Sequence, residues 1–219
     1  MSGDDAGRHA ASIGRVRDYW EERARRAETD CEKIESGRRA QCMRFEAFVI
    51  QHELRGKSIL DVGCGVGDFW QHLQRRGVDY RYLGVDIAPA MVQRARERFP
   101  GTPFECRNIL ERRPDRQFDY CVAFGIHANV RLDRGRELLE AVTRRQFELC
   151  RVAAHVTALT DRYHGFAPHV QAWRAEEVLS MALDITPCLV LRHDYLPNDF
   201  SVTLYRKLLI DTNRNLLLD

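Results

Sequence analysis

The chain has 219 residues, 30% of them charged and 44% apolar, and 34 Lys+Arg against 32 Asp+Glu leave a net charge of +2. That profile excludes collagen-like and fully disordered classes, and a near-neutral balance does not favour a polyanion partner. Seven cysteines, an odd number with no CxxC pair, argue against a disulfide framework and against a zinc site.

Residues 1–12 are small and polar and read as a loose tail, with no apolar leader and no stretch long enough to span a bilayer, so a cytoplasmic location is expected. Ile13, Val16, Tyr19, Trp20 and Arg23 then fall at helical spacing, and Ser36-Gly37 breaks the pattern. A second helix is expected from Arg38 to Glu53, with Met43, Phe45, Ala47, Phe48 and Ile50 as its apolar side. Residues 1–55 thus form a helical preamble, and 56–219 the main domain.

From Lys57 the texture changes to short apolar runs alternating with helical stretches: Ser58–Val62, Phe69–Arg76, Tyr80–Val85, Met91–Phe99, Pro103–Cys106, Phe118–Phe124, Leu138–Leu149 and Val152–Leu159. Such βα alternation predicts a parallel sheet covered on both faces. A helix near Ala172–Leu183 follows. Two closing strands, Pro187–His193 and Phe200–Lys207, flank a tight turn at Leu196-Pro197-Asn198-Asp199 and are therefore antiparallel neighbours.

The most informative segment is Ile59-Leu60-Asp61-Val62-Gly63-Cys64-Gly65-Val66-Gly67-Asp68. An apolar strand runs into three glycines at alternate positions and then into a helix, which lets the chain turn tightly and lets a ligand approach the backbone without meeting a Cβ. The second strand ends at Val85-Asp86, and a carboxylate at that tip can accept from both hydroxyls of a ribose. The spacing differs from the Gly-x-Gly-x-x-Gly dinucleotide fingerprint.

Ile59–Asp68 together with Gly84-Val85-Asp86-Ile87-Ala88-Pro89-Ala90-Met91 resembles the class I S-adenosylmethionine-dependent methyltransferases, from about Ala40 to Lys207. The resemblance implies an α/β, Rossmann-like, seven-stranded and mostly parallel sheet with a C-terminal antiparallel hairpin and an N-terminal helical lid. It implies that Asp61, Gly63, Gly65 and Gly67 line the methionine half of the cofactor, that Asp86 holds the ribose and that Ile87 packs on the adenine. Asn108 stands where the family often carries an acid; its side-chain oxygen could meet the adenine amino group, and the backbone N–H of Ile109 a ring nitrogen. Arg44 suits the cofactor carboxylate bidentately, or is a surface arginine. Tyr19 and Trp20 either cap the cofactor or pack their helix onto the domain.

Ligands of open α/β sheets sit beyond the carboxyl ends of the strands, so Gly125-Ile126-His127-Ala128-Asn129 should lie near the reacting centre. His127 is a candidate base or a hydrogen-bonded loop histidine, Asn129 could orient an acceptor, Phe124 could bound the cofactor, and Tyr163 and Tyr195 are further pocket candidates. The missing Asn/Asp-Pro-Pro-aromatic motif argues against methylation of nucleic-acid bases, and no acidic constellation suggests a metal. The expectation is methyl transfer to a small amine, amino acid or natural-product intermediate. The alternatives are cyclisation of the cofactor to azetidine-2-carboxylate with release of methylthioadenosine, as in enzymes similar to this fold, and a non-catalytic cofactor-binding regulator. Oligomeric state is open.

Overall fold

A computed structural model describes residues 4–26, 38–77, 79–128 and 130–208. Two helices lead, α1 (Asp4–Arg26) and α2 (Arg38–Val49), and an alternating series follows: β1 (Ser58–Val62), α3 (Asp68–Gln74), β2 (Arg81–Asp86), α4 (Pro89–Arg98), β3 (Phe104–Cys106), β4 (Phe118–Ala123), α5 (Gly135–Leu149), β5 (Cys150–Leu159), α6 (Ala175–Leu183), β6 (Leu189–Leu196) and β7 (Asp199–Tyr205). The tail expected over residues 1–12 is helical from Asp4. The expected break at Ser36-Gly37 lies outside the described residues.

The seven strands form one sheet in the order β3-β2-β1-β4-β5-β7-β6. β1 through β5 pair in parallel, whereas β7 runs antiparallel to both β5 and β6. β1 therefore sits where the chain crosses over in opposite directions, to β2 on one side and to β4 on the other.

The period-2 pattern of the central strands feeds two cores. Leu60, Val62, Leu83, Val85, Cys121 and Ala123 meet the Leu139 and Val142 side of α5 and the Val178 and Met181 side of α6. Ile59, Tyr82, Tyr120 and Val122 face Phe45 and Phe48 of α2 and Phe69 and Leu73 of α3. Phe48 is fully buried, so α2 is built into the sheet's own core.

α1 is placed differently. It packs against α4 and α5, across the carboxyl ends of the strands. Its inward stripe is Ile13, Val16, Trp20 and Ala24. Polar contacts hold it at two points: Glu21 Oε1 accepts the Ala90 N–H at 2.7 Å, near the start of α4, and an Arg15 terminal nitrogen donates to the Arg131 carbonyl at 3.2 Å.

Candidate functional site

Where β1 ends, the chain makes the turn that its glycines permit. Gly63 and Cys64 both donate to the Val85 carbonyl, at 2.8 and 3.0 Å, which ties the loop to β2. Gly63 has φ +73°, and a Cβ there would lie 2.1 Å from Ile126 Cγ2, so the loop after β4 can close on this backbone only if the residue is glycine. Gly67, at φ +85°, packs on Phe99 and Phe104.

Asp86 ends β2 and stands 8% exposed. Its Oδ2 accepts the Gly65 N–H and its Oδ1 the Ala88 N–H, both at 2.9 Å. Burial raises its pKa, and the hydrogen bonds from Ala88, Gly65 and Ile87 pull the other way. Each oxygen keeps a lone-pair direction for a ligand.

A cavity of about 240 Å³ opens beyond these strand ends. Gly63, Gly65, Asp86, Ile87, Asn108, Ile109, Phe124 and His127 line it, as do Gln41 and Arg44 from α2. Its roof is Ile13, Val16 and Trp20 of α1. Charged lining residues balance: Asp86 and Asp199 against Arg44 and Arg107.

Several sequence expectations need correction. Asp61 falls on the opposite face of β1 from Val62, where the Tyr82 hydroxyl donates to its Oδ2 at 2.5 Å; it does not line the cavity. Gly67 likewise serves helix–strand packing, not the cavity wall. Tyr19 is not among the lining residues; its ring packs edge-on to Trp20 at 5.2 Å, and Trp20 takes the lining position. Tyr163 is 42% exposed and packs its ring at a tilt against Phe166 instead. Tyr195 lies behind the wall, its hydroxyl donating to Asp199 Oδ1 at 2.5 Å. Asn129 lies outside the described residues.

Asn108 faces the cavity with its roles reversed. Its Oδ1 accepts the Leu110 N–H at 3.0 Å, and its buried Nδ2 has no partner among the described residues, so the amide presents a donor where an acceptor was expected. His127 is almost fully buried, its Nε2 has no partner among the described residues, and desolvation lowers its pKa to about 3. It is a neutral imidazole at any ordinary pH, and so a poorer base than the sequence suggests.

Residues that sequence reasoning missed come from 160–173. This segment is stitched to the loop after β4: Gln171 N–H donates to the Ala128 carbonyl at 2.7 Å, Arg131 N–H to the His169 carbonyl at 2.9 Å, and the Trp173 indole N–H to the His127 carbonyl at 3.1 Å. Phe166, Val170, Gln171 and Trp173 thereby enter the wall. No local pattern marks them. The α1 stripe Ile13-Val16-Trp20, by contrast, was readable from its i, i+3, i+7 spacing.

Comparison with known proteins bears on this geometry. Residues 59–145 match the family model of the methyltransferase domain. A Mycobacterium tuberculosis protein named as a methyltransferase is 45% identical over 75 residues, 34% of this chain and 44% of its own length. A trans-aconitate 2-methyltransferase of Rhodopseudomonas palustris is 40% identical over 58 residues, 26% of this chain and 23% of its own length. The chain thus spans less than half the length of these curated relatives. Among solved structures, magnesium protoporphyrin IX methyltransferase from Synechocystis with bound S-adenosylmethionine superposes with TM-score 0.66 at 15% identity, covering 89% of this chain and 97% of that one. The seven-stranded mixed sheet is accordingly the Rossmann-like methyltransferase fold. Among the described residues no helix is long and apolar enough to cross a membrane, and no cluster of His, Cys, Asp or Glu could hold a metal ion.

Proposed function

We propose that the protein is an S-adenosylmethionine-dependent methyltransferase acting on a small molecule: an amine, an amino acid or a natural-product intermediate. The observation that carries this is Asp86, a buried carboxylate at the tip of β2, fixed by two backbone N–H groups at the mouth of a roofed cavity.

The residues fit the cofactor. Asp86 would accept from the ribose hydroxyls, Ile87 and Ile109 would bracket the adenine, and the unpartnered Asn108 Nδ2 would donate to a ring nitrogen. The lack of a Cβ at Gly63 keeps open the close approach to the backbone. Trp20 and Phe124 offer ring surfaces suited to a sulfonium by cation–π attraction, worth about 0.5–2 kcal/mol.

When bound, the cofactor supplies an activated methyl group with a good leaving group. The chain's part is to hold an acceptor in line and exclude water, and positioning of that kind can supply about 7–11 kcal/mol of a barrier. α1 does the excluding: it is the lid. His127, neutral and buried, orients an acceptor N–H or O–H by accepting a hydrogen bond. Phe166, Val170 and Trp173 shape the acceptor's side of the wall. With reacting residues of this kind an acceptor that loses its proton after transfer, such as an amine, is favoured over one that needs a strong base.

Incubation with S-adenosylmethionine, alone and with a library of small amines and acids, tests this reading. S-adenosylhomocysteine formed only with an acceptor is the expected result. Methylthioadenosine with a cyclised amino acid, formed from the cofactor alone, would replace methyl transfer by cyclisation. A protein that binds the cofactor without turnover across such a library would be read as a regulator.

A further inference from the structure

Four of the residues lining the cavity carry a formal charge, and none of the four comes from the side built by the loop after β4, α5 and the 160–173 segment. Asp86 ends β2. Arg107 follows the edge strand β3, where Glu105 Oε2 and the Arg113 carbonyl accept from it. Arg44 and Asp199 pair with each other: Arg44 Nε donates to Asp199 Oδ2 at 2.6 Å, Tyr195 donates to Oδ1, and the paired side chains are 7% and 1% exposed.

The acceptor's side of the wall is instead Leu132, Leu138, Val142, Leu159, Val170 and Trp173. The same segments do carry charge, at Arg131, Asp133, Arg134, Asp161 and Arg162, but all of these are exposed and none lines the cavity. Gln171 Nε2 donates to the Ala172 carbonyl at 2.9 Å, and the Trp173 indole N–H to the His127 carbonyl. What is left for a ligand is the neutral imidazole of His127, whose Nε2 has no partner among the described residues.

A wall of this kind selects by elimination. A charged group brought against it loses its water and meets no counter-ion, so carboxylates and ammonium ions are rejected. An aliphatic amine is such an ion: like a lysine, it stays protonated up to about pH 10.4. A phenol is neutral but becomes a good nucleophile only on losing a proton that it holds to about pH 10, and no group of this side is a base strong enough to take it. An aromatic ring nitrogen would leave as a permanent cation. An amine on an aromatic ring is both uncharged and nucleophilic at neutral pH, and its ring suits the apolar frame.

We propose that the acceptor is an aryl amine whose ring lies against Leu132, Val142, Val170 and Trp173. This rests on the methyltransferase reading and narrows it. The nitrogen lone pair forms the new N–CH3 bond as the S–CH3 bond breaks, and that electron pair stays on sulfur, giving S-adenosylhomocysteine. The arylammonium so formed is a strong acid and gives its proton to water, so the product leaves as a neutral N-methyl aryl amine.

The test supplies the full chain and S-adenosylmethionine with para-toluidine or para-anisidine, and with two charged counterparts of the first: para-methylbenzylamine, a cation, and para-aminophenylacetate, an anion. The expected result is N-methylation of an aryl amine, with kcat/KM for both charged compounds lower by about tenfold or more. Val170→Asp, at a half-buried wall position, should narrow the gap for para-methylbenzylamine by about fivefold while S-adenosylhomocysteine affinity stays within about twofold. A charged compound turned over as well as para-toluidine overturns the proposal and leaves the methyltransferase reading standing. So does a protein that binds S-adenosylhomocysteine yet methylates neither aryl amine, and so does a Val170→Asp protein that binds it normally and keeps the wild-type preference. Wild-type protein that does not bind S-adenosylhomocysteine, or that makes methylthioadenosine from the cofactor alone, overturns the methyltransferase reading and the proposal with it.

Discussion

Acid should unfold this protein through two histidines. His127 beside the cavity and His155 inside β5 are each held near pKa 3, in both cases chiefly by desolvation, with the charges of His52 and Arg192 adding to the effect at His155. In the unfolded chain both would titrate near 6.5. Above that pH both states are neutral and the histidines contribute no pH dependence. Below it the unfolded state takes up protons that the native state refuses, so stability falls as pH drops from about 6.5 toward 3. Each residue costs about 1.4 kcal/mol per pH unit, or together about 4 kcal/mol at pH 5. His52 and His72, whose pKa values are also lowered by burial, act in the same direction. Asp86 and Asp199 oppose it: burial raises their pKa values, which makes protonation easier in the native state. Against a total stability of about 5–15 kcal/mol, the loss is large. Urea unfolding followed by circular dichroism at pH 7, 6 and 5 measures it, and H127Q/H155N should flatten the curve, since Asn can keep the contact that His155 Nδ1 makes with Thr203 Oγ1 at 2.8 Å. Equal wild-type midpoints at pH 7 and pH 5 would refute the reasoning and return His127 to the list of titrating bases.

Three substitutions probe the rest of the site. Asp86→Ala removes the expected ribose acceptor, and two charge-assisted hydrogen bonds of about 1.5–3 kcal/mol each imply a loss of S-adenosylhomocysteine affinity of at least about 100-fold; calorimetry that shows no change would mean that the ribose lies elsewhere. Gly63→Ala places a Cβ 2.1 Å from Ile126 Cγ2 at a φ of +73°. The backbone strain alone is about 1–2 kcal/mol, so melting temperature should fall, and adding Ile126→Ala should recover part of the loss; full stability in the single variant contradicts the loop geometry. Trp173→Phe keeps an aromatic ring, though a smaller one, and drops the hydrogen bond to the His127 carbonyl. Turnover should fall about tenfold while S-adenosylhomocysteine affinity stays within about twofold, because the bond orders the acceptor side only; a matched loss of both would make Trp173 a general packing residue.

Strand-and-loop chemistry was legible in the sequence where one short segment does the whole job. Gly63, Gly65 and Asp86 announce themselves because a positive φ, a close backbone approach and a strand-end carboxylate are local requirements. Asp61 misled for an equally local reason: side chains alternate along β1, and a carboxylate two residues before a glycine of the cavity faces the other core. Tyr163 and Tyr195 show the limit of the strand-end rule. Both stand near the correct end of the sheet, yet one packs against Phe166 at the surface and the other donates a hydrogen bond to Asp199. Which residue of a loop reaches the cavity depends on partners far away in the chain, and Asp199 could be recognised as a wall residue only once Arg44, 155 positions earlier, was seen beside it.

The same distinction governs what can be carried over from relatives. The matched methyltransferase segment ends at residue 145, before β5 and before the 160–173 wall. A match of 58 residues cannot hold both the glycine loop and Trp173, which lies 106 residues beyond Gly67. What the family model shares with this chain is therefore the side of the cavity built from β1 to β4, the side assigned above to the cofactor. The other side is made by two loops that are bonded to each other through Ala128–Gln171, Arg131–His169 and His127–Trp173. If the protein is the methyltransferase proposed above, exchange of the 160–173 segment should change which molecule is methylated and leave S-adenosylhomocysteine affinity within about twofold; unchanged acceptor preference would place acceptor choice elsewhere.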